Sequence, residues 1–385
     1  MAHLLPSRCA FISIHCRKLL RFFAFCVIIL ETTFLSFSVE GELYMKSTTT
    51  ERNILLDLFK FFLCYLVIAI HLAGETYSHF PLYRLAVPMF FMISGYFNYY
   101  TPEQEQCRKK AVGFIKRTWH YMTLGFLIYI LFDFVMCYVD GHGVGYYFTT
   151  LFYEDFLLEF FFLNRPITYT GAQLWFLIAL FVVSLIHYVL VRFDRLHYYK
   201  IIIPVCYLIY FFFAGYMYLL QDTDMPIRYT RNAWFMGLPN FALGYTLAQF
   251  DFHKRTWYKY FYLALGILFF FLQVSEYKLV QTENCSLEMY VSSVVCAECL
   301  LLFFIGLKKR KAAFYYKWVG KNAPFYIYIL HMAVAVVLSK FIAFENLMLK
   351  SLCVLIISFV IYEIAHLSKM MWGALQQKKM SNCPT

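Results

Sequence analysis

The sequence predicts an all-α, polytopic membrane protein with about ten transmembrane helices in one bundle. Three observations carry that expectation. Of the 385 residues, 62% are hydrophobic and 15% charged, whereas a soluble domain carries about 25% charged residues. Long uncharged runs recur along the whole chain, several of them near the ~20 residues that cross a bilayer. Backbone amides in lipid must be satisfied within their own segment, so such runs are helices. Finally, runs such as Ile201 to Leu220 are apolar on every side, without the period-2 alternation of an outer-membrane barrel.

Taken in order, residues 1–44 read as an N-terminal extension. A basic flank (Arg17, Lys18, Arg21) precedes an apolar stretch from Phe22 to Val39 that Glu31 interrupts, the pattern of a signal peptide or a short extra span. A crossing here would reverse the direction of the next helix. A second methionine stands at Met45, before the polar lead Lys46 to Arg52. The extension is therefore expected to be peripheral to the fold or an over-extended start. The membrane domain is expected over 45–369, with spans at 53–72, 82–100, 118–139, 173–191, 199–220, 232–250, 258–275, 287–307, 322–342 and 347–368. Residues 370–385 form a basic tail. The link 140–172 is long and aromatic (Tyr146, Tyr147, Phe148, Tyr153, Phe160, Phe161, Phe162) and also carries Glu154, Asp155 and Glu159. An interfacial amphipathic helix suits it, with stacking on sugar faces as the alternative.

The net charge of +11 invites a nucleic-acid partner, but its placement speaks for topology. The links 101–117, 192–200, 251–259 and 308–321, with the tail from Lys369, hold twenty Lys and Arg. The intervening links hold six: Arg165, Arg228, Arg231, Lys278, Lys340 and Lys350. That bias places the basic links and both ends of the ten-helix unit in the cytoplasm. The twelve cysteines form no disulfide framework, since most lie inside spans, where a thiol behaves as a small hydrophobe. Cys296-x-x-Cys299 lacks the second ligand pair of a zinc site. Glu363-x-x-His366 is a single copy of a di-iron spacing that needs several helices.

The first span carries Asp57, Lys60 and His71. At about 100° per residue, positions 60 and 71 differ by roughly 20° and positions 57 and 71 by about 40°, so all three share one direction. His71 lies about 16 Å further along the axis than Lys60. Ionisable groups at membrane depth cost roughly 2.5–3.5 kcal/mol each and normally face a bundle interior or wet cavity. The plainer reading is an i,i+3 ion pair of Asp57 with Lys60, with His71 snorkelling outward. The second span favours the cavity. Arg84 stands at its outer end near His71, Pro88 is expected to kink the helix, and Ser94-Gly95 offers a hydroxyl and a close-approach point.

The pattern Asp57-x-x-Lys60, ten residues, His71, then Arg84-x-x-Val87-Pro88-x-Phe90-Phe91-x-x-Ser94-Gly95-Tyr96-Phe97 resembles the acyltransferase-3 family of integral membrane O-acyltransferases. The run Leu174-Trp175-Phe176-Leu177, the set Arg231, Gly237, Pro239 and Gly244, and Gly320-Lys321 with Tyr328-Ile-Leu-His331 are similar to its later landmarks. The likeness runs in order over about residues 52–369, in the stand-alone form without a fused extracytoplasmic domain. Lys60 stands where many members have Arg, which keeps the charge but loses the bidentate fork.

The resemblance implies an enzyme that transfers an acyl group, acetyl above all, from cytoplasmic acyl-CoA to a hydroxyl of a surface glycan or its lipid-linked precursor. The residues fit that chemistry. His71 is the best-placed imidazole for general-base or acyl-carrier work. Lys60 and Arg84 supply fixed positive charge for an oxyanion or for the phosphates of the donor, and Asp57 orients Lys60. Ser94, Trp175, Arg231, Tyr328 and His331 are candidates for substrate contact or support. Against them stand a membrane-belt anchor for Trp175, a surface ion pair for Arg231 with Asp222 or Asp224, and a packed polar pair for Tyr328 and His331. No metal or nucleotide-loop motif is present, so no bound cofactor is expected beyond acyl-CoA as substrate. The rival is a transporter-like module for an acyl group or small solute, which calls for inverted repeats and paired broken helices; neither is visible.

Overall fold

A computed structural model describes residues 53–73, 80–99, 104–141, 156–215, 229–250, 257–280, 287–307 and 323–381. Those residues are helices and their connections. They comprise α1 (Ile54–Leu72), α2 (Ala86–Asn98), α3 (Gln104–Val139), α4 (Trp175–Arg192), α5 (Tyr199–Tyr210), α6 (Leu238–Leu247), α7 (Tyr258–Val280), α8 (Val291–Ile305), α9 (Ala323–Phe341) and α10 (Leu347–Ser381). The π-helical turn Ala233–Gly237 leads into α6 and a 3-10 turn, Tyr83–Leu85, into α2. Each expected span overlaps one of these helices. Among the described residues seven helical stretches, including α1, α3, α4, α9 and α10, are long and apolar enough to cross a membrane, while α2, α6 and α8 are shorter. The protein is an all-α polytopic membrane protein.

Two boundaries depart from the hydropathy reading. α3 begins at Gln104, well before the apolar run, because its charged first turns support a helix of their own through pairs such as Glu105–Lys109 at 2.6 Å. α10 likewise runs on to Ser381. Pro88 sits in the first turn of α2, where its missing N–H breaks no intrahelical bond. The N-terminal extension, the amphipathic part of the 140–172 link before Phe156, Asp222, Asp224 and Gly320-Lys321 lie outside the described residues.

α4 is the most enclosed of the spanning helices, whereas α5, α7 and α10 present apolar side chains such as Ile201, Leu208, Leu268, Phe271, Ile356 and Val360 outward. That is the arrangement expected where the surroundings are lipid. Inside, α2 and α6 pack backbone to backbone. A Cβ on Gly95 would lie 1.9 Å from Phe241 O, and one on Gly244 would lie 1.9 Å from Met92 O. Small residues at both contact points permit this approach. α3 and α4 are joined by the Thr118–Ser184 hydroxyl pair at 3.0 Å. α1, α9 and α10 share the apolar layer of Cys64, Ile68, Ile327, Val334, Ala335 and Val354.

Candidate active site

Polar side chains from five parts of the chain meet in one recess of about 410 Å³, its open mouth included. Its lining includes His71, Tyr83, Arg84, Trp175, Arg231, Glu288 and Tyr328. At its heart Arg84 Nη1 and Arg231 Nη2 donate to the same oxygen, Glu288 Oε1, at 2.7 and 2.6 Å. Arg84 and Glu288 are 3% and 6% exposed and Arg231 is 26% exposed, so Arg231 forms the open side. The Arg231 guanidinium also lies 5.9 Å from the Trp175 ring, a cation–π contact.

Local sequence holds each member in place. Arg231 immediately precedes Asn232, whose side chain accepts from Trp234 N and Phe235 N and so caps the turn at Ala233–Gly237. The buried Asn164, in a left-handed conformation, accepts from Ala233 N at 2.6 Å. Glu288 precedes the start of α8, where Glu276 of α7 accepts from the N–H groups of Val291 and Ser292 at 3.0 Å each. Arg84 lies in the 3-10 turn, and Gln273 of α7 donates to Pro81 O at 2.8 Å just before it. Tyr328 Oη donates to Gln173 O beside Trp175.

The recess is deeper than the position of His71 on its own helix implies. Cys64 Sγ reaches Pro324 O at 3.5 Å near the start of α9. Seven residues further along each chain, the rings of His71 and His331 stand 5.4 Å apart. His331 is near the middle of α9, about 12 Å from its first residue at ~1.5 Å per residue. α1 thus ends level with mid-α9, and His71 opens into the bundle interior rather than at its rim.

Of the residues singled out from sequence, His71, Arg84, Trp175, Arg231 and Tyr328 share the recess and His331 stands behind it. Trp175 is 7% exposed and so is turned inward. Lys60 and Asp57 do not line the recess. They pair at 3.2 Å about three to four turns from His71 toward the other end of α1, where Lys60 also lies 5.0 Å from the Phe97 ring. Ser94 donates to Phe90 O on its own helix at 2.8 Å. Glu288 was not singled out, although a carboxylate at the edge of an apolar span, on the side of two conspicuous arginines, is the signal that would have found it. Among the described residues no three His, Cys, Asp or Glu side chains come together as a metal site. Cys296 donates instead to Gly266 O at 3.3 Å.

Comparison with curated proteins and with solved structures gives no match. A family model described as an acyltransferase domain matches residues 53–362. That range includes every lining residue of the recess and the Asp57–Lys60 ion pair of α1, and the protein is a membrane acyltransferase: the chain belongs to the acyltransferase-3 family.

Proposed function

We propose that the protein moves an acyl group, acetyl in the simplest case, from acyl-CoA on the cytoplasmic side to a hydroxyl of a surface glycan or its lipid-linked precursor. The observation that supports this reading best is the convergence of an imidazole with two guanidiniums in one recess at mid-bundle depth. A recess at that depth is within reach of a donor from one side and an acceptor from the other. His71 takes the proton of the acceptor hydroxyl as its oxygen attacks the acyl carbon. The N–H groups of Arg84 and Arg231 not engaged by Glu288 Oε1 stabilise the oxyanion. The thioester C–S bond then breaks and the proton passes to the departing thiolate. Trp175, in cation–π contact with Arg231 on the wall of the recess, offers aromatic surface for a sugar ring. Lys60, steered by Asp57, sits at the cytoplasmic end, where it neutralises donor phosphates.

Mass spectrometry of surface glycans from cells producing each variant tests this. His71→Ala and Arg84→Ala abolish acylation while the protein still reaches the membrane. With purified protein, Lys60→Gln raises the KM for acyl-CoA about tenfold and leaves kcat nearly unchanged, as expected of a residue that binds donor equally in ground and transition states. Acylation that survives both His71→Ala and Arg84→Ala would remove the enzymatic role of the recess and favour passage of a solute without chemistry.

A further inference from the structure

His331 has no part in the steps above, yet its environment is built with care. The side chain is 1% exposed. Its Nδ1 lies 2.6 Å from Tyr328 O. A carbonyl oxygen only accepts, so Nδ1 carries the proton and, in the neutral ring, Nε2 keeps its lone pair. That Nε2 is buried and meets no hydrogen-bond partner among the described residues, a costly condition for an acceptor. The His71 ring, at 5.4 Å between centroids, is close enough for a single water to bridge the ring nitrogens, or for rotation of the His71 ring to bring them into one hydrogen bond. The stretch of α9 that bears His331 is fixed from outside. Tyr129 Oη of α3 donates to Ile329 O at 2.8 Å and accepts from Ala333 N at 3.1 Å, so it spans the turn on which His331 sits.

We propose that His331 is a positioning residue for His71, an inference that rests on the acyl-transfer reading of the recess. Its Nε2 accepts the hydrogen bond from one ring N–H of His71. This fixes the His71 tautomer and turns the other nitrogen into the recess as a base. When His71 has taken the acceptor proton, the same bond holds the imidazolium until the proton leaves with the thiolate. His331 itself exchanges no proton, and both rings end the cycle as they began it. The other charged and titratable groups that face His71 are Arg84, Arg231 and Glu288, with Tyr83 and Tyr328 also in the lining. α10 meets α1 there through Val354 and Leu355.

The test needs no knowledge of the acceptor. Purified protein in lipid nanodiscs is treated with diethyl pyrocarbonate at one pH, and modification of the peptide bearing His71 is followed by mass spectrometry. His331→Leu slows modification of His71 several-fold, because the nitrogen facing the recess is no longer oriented and polarised. His331→Gln, whose amide oxygen offers an acceptor at similar reach, restores most of the rate. In acetyl-CoA turnover the leucine variant loses roughly 10- to 100-fold in kcat, the scale of one hydrogen bond to a charged group, and keeps its KM within twofold. An unchanged rate of His71 modification in both variants, or an equal loss in both, overturns the proposal and leaves His331 as packing. If the modification result holds while glycan acylation survives His71→Ala, the pairing of the two rings stands and the acyl-transfer reading falls.

Discussion

Two guanidiniums on one carboxylate oxygen have unequal dependence on it. Breaking a buried pair by removing one partner costs about 3–5 kcal/mol, because the remaining charge stays desolvated. Glu288 serves both arginines, so Glu288→Ala breaks both pairs at once. Arg84 is as buried as Glu288, whereas Arg231 is partly open to the recess mouth and recovers some solvation. The expected order of loss in thermal stability of the purified protein is therefore Glu288→Ala, then Arg84→Ala, then Arg231→Ala. A Glu288→Ala protein as stable as the parent would mean that the triad is not a stabilising unit. The same geometry explains what sequence could disclose at this scale. His71, Arg84 and Arg231 stand out because ionisable groups interrupt or flank apolar runs. Glu288 was legible only as one acid among several near a span boundary, since its partners are remote in the chain and nothing local marks the pairing. Asn164 is less legible still. Its role depends on a left-handed backbone and on Ala233 N, which only the folded chain brings together.

Helix contacts at the level of elements rest on two glycines with opposite neighbours. Adding a methyl group to Gly95 or Gly244 drives a Cβ into backbone of the facing helix, Phe241 O or Met92 O. Backbone cannot step aside as a side-chain tip can, so α2 and α6 must part. Overpacking of this kind costs typically about 1–3 kcal/mol or more. Gly113 on α3 has nothing within 4 Å of its Cβ position, and alanine there gains helix propensity of about 1 kcal/mol. Expected outcomes in detergent melts are thus a clear loss for Gly95→Ala and Gly244→Ala and no loss for Gly113→Ala. Equal melting points for all three would show that α2 and α6 are not in backbone contact. Parting these helices also shifts Arg84 and Arg231, which lie just before their first turns, so activity should fall with stability. Sequence made Ser94-Gly95 readable as a close-approach point, and Gly244 as a landmark of resemblance, but it did not show that the two face each other across one contact. It placed the apolar runs well and their ends poorly. Hydropathy reports where lipid is, while the helices α3 and α10 continue beyond it, α3 on charged turns that include the Glu105–Lys109 pair.

For the whole molecule, the open physical issue is which way the recess faces, and the charge pattern gives a definite expectation. α1, α3 and α9 run in one direction, so the Asp140–Lys340 ion pair at 2.5 Å joins the ends of α3 and α9 on one side. Cys107, half exposed in the first turns of α3, stands on the other side, among Arg108, Lys109 and Lys110. Twenty basic residues in the links and tail on the Cys107 side against six on the other lead to the expectation that Cys107 faces the cytoplasm. A membrane-impermeant maleimide applied to intact cells should therefore label Lys340→Cys in a protein otherwise stripped of cysteine. Loss of that exposed ion pair costs at most about 1 kcal/mol and leaves the fold intact. A protein retaining only Cys107 should react after permeabilisation alone. The converse result would invert the molecule, place Lys60 and Asp57 at the outer end of α1, and remove the donor-phosphate role proposed for Lys60. The lining of the recess would be the same after inversion, because it is set by the packing of the helices and not by their orientation. Topology therefore decides which substrate meets which charge, while the chemistry at His71, Arg84 and Arg231 follows from packing that the orientation does not alter.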